Sequence, residues 1–279
     1  MHPYVILDVF TDVPLRGNQL AVFTEAQGIS SELMQQTARE LNLAETVFLL
    51  PAPNGADARA RIFTPATELP FAGHPVLGTA FVLGQRSGAS RVRLQTGAGV
   101  IPITLTREAG EIVFGEMEQP IPTPEPFARA GELLRALRLA GSGLPIEAYR
   151  NGPLHVYVEL AGEDLVAAVR PDLTALADLG ELGVSCFAGS GKRFKTRMFA
   201  PALGVSEDPA TGSAAGPLAV HLARHRRIGF GDQIEIRQGE EIGRPSILHA
   251  RVEGSAERIE RVTVGGSAVL VAQGEYRLQ

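Results

Sequence analysis

The chain carries the motif Glu-x-Pro-x-x-Gly-(His/Ser) twice, as Glu68-Leu69-Pro70-Phe71-Ala72-Gly73-His74 and, 139 positions later, as Glu207-Asp208-Pro209-Ala210-Thr211-Gly212-Ser213. An apolar run rich in Ala and Gly follows each copy. This spacing is far longer than the roughly 20 to 50 residues of a solenoid repeat. The motif therefore predicts two similar halves that arose by duplication of a domain.

Two further matches keep the same order. Phe63-Thr64-Pro65-Ala66 corresponds to Phe199-Ala200-Pro201-Ala202, and the stretch Arg16 to Phe23 corresponds to Arg150 to Tyr157. The offset between the halves drifts from 134 through 136 to 139, as short loop insertions would produce. Duplicated domains meet at a pseudo-twofold cleft, and clefts between domains are common sites for small molecules.

The length of 279 residues suits two domains of about 130 to 140 residues, each able to bury its own core. We expect an N-terminal barrel domain at residues 1–120, with a strand from 265–279 as a candidate to complete it. We expect a C-terminal barrel domain at residues 121–264.

The composition is that of a soluble globular protein, with 44% hydrophobic and 20% charged residues. A net charge of -5 disfavours non-specific binding to nucleic acid. The single cysteine, Cys186, suits a reducing compartment and is expected to be a small core residue and not a nucleophile. The first residues lack the pattern of a signal peptide, and no stretch offers about 18 uninterrupted apolar residues. We expect a cytoplasmic protein without nucleic-acid or membrane partners.

Alternating and apolar runs punctuated by Gly, Pro and Asn predict a chain that is mostly β-strand, with few helices in each half. One helix is expected to begin after Ser30 or Ser31 and to stop at Asn42. Two others follow the repeated motif, over Pro75 to Leu83 and over Gly212 to His225, and are apolar on nearly every side. Because such a helix must be enclosed by other elements, we predict an α+β fold of two β-rich barrels, each around one central helix.

The two motif helices also indicate a binding function. The N-terminus of a helix presents unpaired N–H groups and the positive end of the helix dipole, which attract a carboxylate or phosphate. Two such starts, at Gly73-His74 and Gly212-Ser213, would hold an anionic substrate if the halves face each other. The simpler interpretation is that Gly and Pro allow a tight turn into each helix.

Three titratable side chains are candidates for catalysis. His74 and Asp208 lie beside these helix starts and could reach a bound ligand, although a structural histidine and an N-terminal capping aspartate remain alternatives. Glu45 stands just before an apolar strand, where a carboxylate is by itself unremarkable.

Two other motifs do not match the phosphate-binding and metal-binding patterns that they resemble. Gly189-Ser190-Gly191-Lys192 lacks the flanking residues of a phosphate-binding Walker loop. His221 and His225 have helical spacing but lack the glutamate of a metalloprotease, and Arg224 between them would repel a cation. The basic run Lys192 to Arg197 is expected to be one solvated strand face, with steering of an anionic substrate as the alternative.

The stretch from Phe63 through Pro75, together with the run Glu207 to Gly216, resembles the PhzF family of phenazine biosynthesis. The resemblance extends from Tyr4 to Ser246 and so covers essentially the whole chain. It implies the diaminopimelate epimerase-like fold, with two pseudo-symmetric β-barrel domains that each surround a central helix. Racemase relatives with this fold use one cysteine from each half, and the aligned positions here hold no cysteine. Racemisation by two thiols is therefore excluded.

The resemblance also implies an activity: an isomerase that transposes carbon–carbon double bonds without a metal or redox cofactor. Glu45 would take the proton from C3 of trans-2,3-dihydro-3-hydroxyanthranilate, a small anionic cyclic amino-hydroxy acid, and return it at C1. The resulting enol becomes a ketone. The resemblance further implies a homodimer, and one departure from the family pattern is Ala44, where a serine is expected. The other residues it assigns are the acid/base groups His74 and Asp208 and the substrate contacts Gly73, Gly212 and Ser213.

Two alternatives stay open from the sequence. The first is a PhzF-like isomerase or epimerase of another small cyclic or amino-acid metabolite. The second is a non-catalytic protein that binds an anionic metabolite as a sensor or carrier.

Overall fold

The structure is a computed structural model that describes residues 1–52 and 55–278. The chain divides into two compact units. The first unit consists of Met1–Glu118 and Gly265–Gln279, and the second unit is Gln119–Val264. The first unit thus combines both ends of the chain.

Among the described residues the strands are β1 (His2–Val9), β2 (Asn18–Phe23), β3 (Glu45–Leu50), β4 (Ala58–Phe63), β5 (Glu68–Leu69), β6 (Arg91–Thr96), β7 (Gly99–Glu108), β8 (Glu111–Glu118), β9 (Thr123–Pro126), β10 (Glu147–Arg150), β11 (Leu154–Glu159), β12 (Gly183–Ser190), β13 (Arg193–Ala200), β14 (Val205–Asp208), β15 (Gln233–Gln238), β16 (Ser246–Gly254), β17 (Ile259–Gly266) and β18 (Ala268–Tyr276). The helices are α1 (Ser31–Leu41), α2 (Gly73–Ser87), α3 (Ala130–Leu137), α4 (Glu163–Ala168), α5 (Leu173–Ala177) and α6 (Gly212–Arg224), with short 3-10 turns at Pro201–Leu203 and Glu240–Ile242.

In the first unit a curved sheet surrounds α2. Strand β1 pairs antiparallel with β18 and β2, β2 runs parallel to β3, and the sheet continues through β4, β6, β7 and β8. Helix α2 packs against β1, β2, β3, β6, β7, β8 and β18. Every residue from Gly73 to Val82 is buried as a result. The helix can come so close because Gly78 lacks a side chain: a Cβ there would lie 2.7 Å from side-chain atoms of Leu20 and Val9.

The second unit repeats this arrangement with additional helices. Its sheet runs through β9, β10, β11, β12, β13, β15 and β16, with β11 parallel to β12 and β13 parallel to β15. Helix α6 packs against β11 and β16, and every residue from Gly212 to Ala223 is buried. Helices α4 and α5 pack on β13, where an apolar core includes Leu137, Val184 and Cys186.

Matching ion pairs in the two units extend the repeat beyond the motif itself. Arg61 binds the motif residue Glu68 at 2.6 Å, and Arg197 binds the corresponding Glu207 at 2.7 Å. Each guanidinium also lies 5.1 Å from the ring centroid of the phenylalanine two positions further along the chain. Both strands therefore share an ion pair with the motif that follows and a cation–π contact within the strand.

Several sequence predictions are confirmed. Ser30 caps α1 by accepting a hydrogen bond from the backbone N–H of Leu33, and Asn42 ends the helix in the left-handed conformation. The central helices lie where they were expected, as α2 and α6. Cys186 is buried in the core, and burial raises the pKa of its thiol to about 12, which leaves it protonated.

The prediction of a solvated face for Lys192 to Arg197 is wrong in part. Lys195 and Arg197 are buried, because acidic side chains from other segments neutralise them. Lys195 pairs with Glu240 and Glu241. The glycine-rich segment Gly189 to Lys192 spans the turn between β12 and β13 and holds them as a hairpin.

Pro217 lies inside α6 and removes the N–H that would bind the carbonyl group of Ser213. The side-chain amide of Asn151 donates to this carbonyl at 2.9 Å instead. Two neighbouring carbonyl groups are bound in the same way, that of Gly212 by Gln119 at 2.8 Å and that of Ala214 by the Tyr157 hydroxyl at 2.7 Å. Three side chains thus fix the first turn of α6.

We expect Asn151→Leu to lower the free energy of unfolding by about 1 to 3 kcal/mol, because it leaves the buried Ser213 carbonyl without a donor. Adding Pro217→Ala should restore part of the loss, since Ala at position 217 offers an N–H to that carbonyl. Urea unfolding of the wild type, both single variants and the double variant measures the effect. Equal gains from Pro217→Ala with Asn151 present or replaced would contradict the assignment.

Candidate active site

Glu45 is the first residue of β3, directly after the turn that ends α1. In the parallel pairing of β2 with β3 its register partner is Leu20. The Glu45 side chain is only 15% exposed. From the sequence this carboxylate is predicted to be an ordinary loop residue. In the structure it is the first residue of a buried strand.

His74 meets Glu45 within the first unit. The Nε2 atom of His74, in the first turn of α2, lies 3.0 Å from Oε2 of Glu45. The ring donates a hydrogen bond to the backbone carbonyl of Gln19, and burial lowers the pKa of His74 to about 3. The imidazole is therefore neutral at pH 7. When the Glu45 carboxyl group carries a proton, it can donate that proton to the nitrogen that faces it.

Neither central helix is capped by the side chain of the residue that precedes it. Ala72 precedes α2 and Thr211 precedes α6, and neither side chain binds the first-turn N–H groups. Helix α1, by contrast, is capped by Ser30. The first N–H groups of a helix have no acceptor within the helix, so α2 and α6 suit an external anion. Gly73 and Gly212 are the first residues of these helices.

In the second unit Asp208 ends β14 and is buried in a polar network. The Thr211 hydroxyl donates to its carboxylate at 2.5 Å. The Gln238 amide donates to the backbone carbonyl of Asp208 at 2.8 Å and to the Thr211 hydroxyl at 2.9 Å. This network fixes the orientation of the Asp208 carboxylate next to the start of α6.

Ser213 is buried in the first turn of α6, where its Oγ lies 3.1 Å from Nε2 of His155. Of the residues expected to act on substrate, Glu45, Gly73 and His74 thus belong to the first unit. Asp208, Gly212 and Ser213 belong to the second unit.

Sequence reasoning assigned no function to four polar residues around the start of α6. They are Gln119, Asn151, His155 and Gln238. One signal was available, because Pro217 in a predicted helix requires a side-chain donor for the carbonyl four residues earlier. Nothing in the local pattern identifies which residue supplies it.

A separate polar cluster lies at the C-terminal end of α6. Potential metal-ligand atoms of Glu147, His221 and His225 lie within 4.8 Å of one another. The sequence singled out the two histidines but not Glu147. The Arg224 guanidinium donates to Oε2 of Glu147 at 3.0 Å, and the Tyr149 hydroxyl donates to the same atom at 2.7 Å. The guanidinium balances the carboxylate charge, and so the cluster is neutralised by the protein itself.

Three buried histidines should make stability depend on pH. Burial lowers the pKa of His74 to about 3 and of His155 and His221 to about 4, whereas histidine in an unfolded chain titrates near 6.5. Well above pH 6.5 these histidines are neutral in both the folded and the unfolded state, and their contribution to stability is independent of pH. As the pH falls from about 6.5 towards 4, the unfolded state takes up protons that the folded state does not, and stability is lost.

We therefore expect the free energy of unfolding to be lower at pH 5 than at pH 7, by up to about 1.4 kcal/mol per histidine per pH unit. Urea unfolding at both pH values measures the difference. Because carboxylates also titrate in this range, His155→Gln is the control and should lose less stability than the wild type. An identical loss in both proteins would contradict the assignment to His155.

The described residues include no helix long and apolar enough to cross a membrane.

Comparison with known proteins places these features in a family. Residues 7–274 match the model of the PhzC-PhzF family, described as phenazine biosynthesis-like protein. The chain is 54% identical over 278 residues to a protein of Pseudomonas aeruginosa named trans-2,3-dihydro-3-hydroxyanthranilate isomerase, with 100% of each chain covered.

Solved structures agree with this result. A PhzF-family phenazine biosynthesis protein of Bacillus anthracis superposes with a TM-score of 0.86 at 26% identity, covering 99% of both chains. A probable proline racemase of Agrobacterium radiobacter, 13% identical, superposes with a TM-score of 0.69 over 100% of this chain and 94% of its own, a likeness of fold alone. The fold is therefore the diaminopimelate epimerase-like fold expected from the sequence. The chain belongs to the PhzC-PhzF family of phenazine biosynthesis-like proteins.

Proposed function

We propose that this protein is a cofactor-independent isomerase of phenazine biosynthesis that moves a proton from C3 to C1 of trans-2,3-dihydro-3-hydroxyanthranilate. The observation that carries the proposal is the 54% identity, over the full length, to the Pseudomonas aeruginosa protein named for this reaction. Glu45, which contacts a neutral His74, is the group that transfers the proton in this proposal.

Glu45 is the proton carrier in this proposal. Its carboxylate removes the proton from C3, the C3–H electron pair forms a double bond at C3, and the double bonds shift towards C3 while the electron density reaches C1. The same carboxyl group then protonates C1, so that atoms and charge balance with no second substrate. Enol-to-ketone tautomerisation at C3 completes the reaction. One general acid/base group typically contributes about 10²- to 10⁴-fold to the rate.

Three of the remaining site residues are proposed to stabilise charge. As the proton leaves C3, negative charge spreads towards the carboxylate of the substrate, where the N–H groups of an uncapped helix start stabilise it. We assign this role to Gly73, Gly212 and Ser213. His74 is assigned as the neutral partner of Glu45, and Asp208 as a second acid/base group that accepts a hydrogen bond from the substrate.

We further propose that the two compact units are the two domains, with residues 265–279 completing the first. The active form is proposed to be a cytoplasmic homodimer. Light scattering of the purified protein should give twice the mass of one chain, and a monomer mass at working concentration would refute the dimer.

Proton NMR in D2O tests the proposed function. We expect the protein to convert trans-2,3-dihydro-3-hydroxyanthranilate to the ketone, with C1 carrying a mixture of the hydrogen taken from C3 and deuterium that reaches Glu45 from the solvent. A protein that binds the compound without any conversion or exchange would instead be a metabolite-binding protein. Turnover of a different cyclic amino acid, with none of this compound, would place the chain with another PhzF-like isomerase.

A further inference from the structure

His155 lies on β11 and contacts the first turn of the central helix of the second unit. Its Nε2 atom is 3.1 Å from Oγ of Ser213, and both residues are buried, with 3% and 6% of their surface exposed. The pair is formed by segments 58 residues apart. An imidazole and a hydroxyl in this arrangement share one hydrogen, and its position decides what the hydroxyl can bind.

The environment of the second ring nitrogen, Nδ1, decides the position of that hydrogen. Among the residues that the structure describes, none forms a hydrogen bond with this buried atom. Gly183 is the register partner of His155 in the parallel pairing of β11 with β12, and a Cβ built on it would lie 3.0 Å from Nδ1. The ring is therefore packed against backbone on this side.

Two neutral forms of the ring are possible. With the hydrogen on Nδ1, a buried N–H donor would have no acceptor, whereas with the hydrogen on Nε2 only a lone pair remains unbound on Nδ1. An unmet donor has the larger cost, because the full hydrogen bond to water is lost. The ring is neutral at pH 7, since burial lowers the pKa of His155 to about 4. The Nε2–H form is thus favoured, and it donates to Ser213.

We propose that His155 is a positioning residue that donates from Nε2 to Oγ of Ser213 and thereby leaves the Ser213 hydroxyl hydrogen free to be donated to the anionic substrate. If Nε2 carried no hydrogen, the Ser213 hydroxyl could instead donate its own hydrogen to the imidazole or to a backbone carbonyl. The substrate would then face a lone pair of the Ser213 oxygen and not a hydrogen. The inference rests on the proposed function, in which Ser213 contacts the substrate.

The test uses the length of glutamine, whose side-chain amide can take the place of Nε2–H. We expect His155→Leu to lower kcat/KM about 10- to 100-fold, the usual effect of one hydrogen bond to a charged group, mainly by raising KM. His155→Gln should return kcat/KM to within about threefold of the wild type. His249→Leu, on β16 of the same unit, is the matched control and should retain the wild-type kcat/KM.

A double-variant cycle shows whether His155 acts through Ser213. Because both variants remove the same interaction, Ser213→Ala with His155→Leu should be no slower than Ser213→Ala alone. Multiplicative losses, or a His155→Gln variant as impaired as His155→Leu, would overturn the proposal.

Nitrogen NMR tests the proposal without activity. In the long-range ¹H–¹⁵N spectrum at pH 7, we expect His155 to show a protonated Nε2 and an unprotonated Nδ1. A protonated Nδ1 would refute the inference even in a fully active enzyme. Conversely, the expected spectrum from a protein that does not convert trans-2,3-dihydro-3-hydroxyanthranilate would refute the proposed function and leave the hydrogen-bond assignment intact.

Discussion

Glu45→Gln is expected to lower kcat by at least about 1,000-fold and to leave KM within about threefold of the wild type. Glutamine keeps the size of the side chain and can still approach His74, but it cannot take up the proton from C3. Removal of a group that acts only in the chemical step lowers kcat and kcat/KM together. Stopped assays that follow the ketone, with substrate below and above KM, measure both constants.

Glu32→Gln provides the matched control, because Glu32 is an exposed glutamate in the first turn of α1 in the same unit. It should have wild-type kcat and KM. The unfolding midpoint in urea should be measured for both variants, so that a folding defect is recognised. A Glu45→Gln enzyme that keeps more than a tenth of the wild-type kcat would remove Glu45 from its central role.

Asp208→Asn is expected to lower kcat/KM by about 100-fold. The Thr211 hydroxyl donates to this buried carboxylate, and the Gln238 amide holds the hydroxyl and the Asp208 backbone carbonyl in place. Asparagine keeps the shape but removes the charge that is proposed to accept a hydrogen bond from the substrate. Thr211→Val, which removes the hydrogen bond that orients the carboxylate but keeps its charge, should have a smaller effect of about 10-fold. Initial rates at low substrate concentration give kcat/KM for both variants.

Asp232→Asn is the control for this prediction, since Asp232 is a partly exposed residue of the same unit that pairs with Lys192. It should retain full activity. If Asp208→Asn kept more than a third of the wild-type kcat/KM, Asp208 would be a structural cap of α6 and not a group that acts on the substrate.

Some features of the fold could be predicted because they depend on local sequence. The helix at Ser31–Leu41 is bounded by the capping residue Ser30 and by Asn42, which adopts the left-handed conformation that ends it. The central helices could be predicted because they are apolar on nearly every side, which only enclosure by a sheet permits. Helix α3 was not predicted, although its apolar residues Leu133 and Leu137 have helical spacing.

The site was less accessible to sequence reasoning because its contacts join distant segments. Glu45 meets His74 only because α2 packs against β3. His155 meets Ser213 because α6 packs against β11. Lys195 and Arg197 looked like solvated residues, since the acidic partners that bury them come from later segments, as with Glu241 and Glu207. The role proposed for Glu45 rests on the family resemblance alone.

The central claim is that one carboxylate carries the proton from C3 to C1. The most direct test is a single turnover in ordinary water of substrate that carries deuterium at C3, with the product analysed by NMR. Because the Glu45 side chain is largely shielded from solvent, we predict that a measurable fraction of the deuterium appears at C1. A product whose C1 carries only solvent hydrogen, formed while the unreacted substrate keeps all its deuterium, would contradict transfer by a single shielded carboxylate.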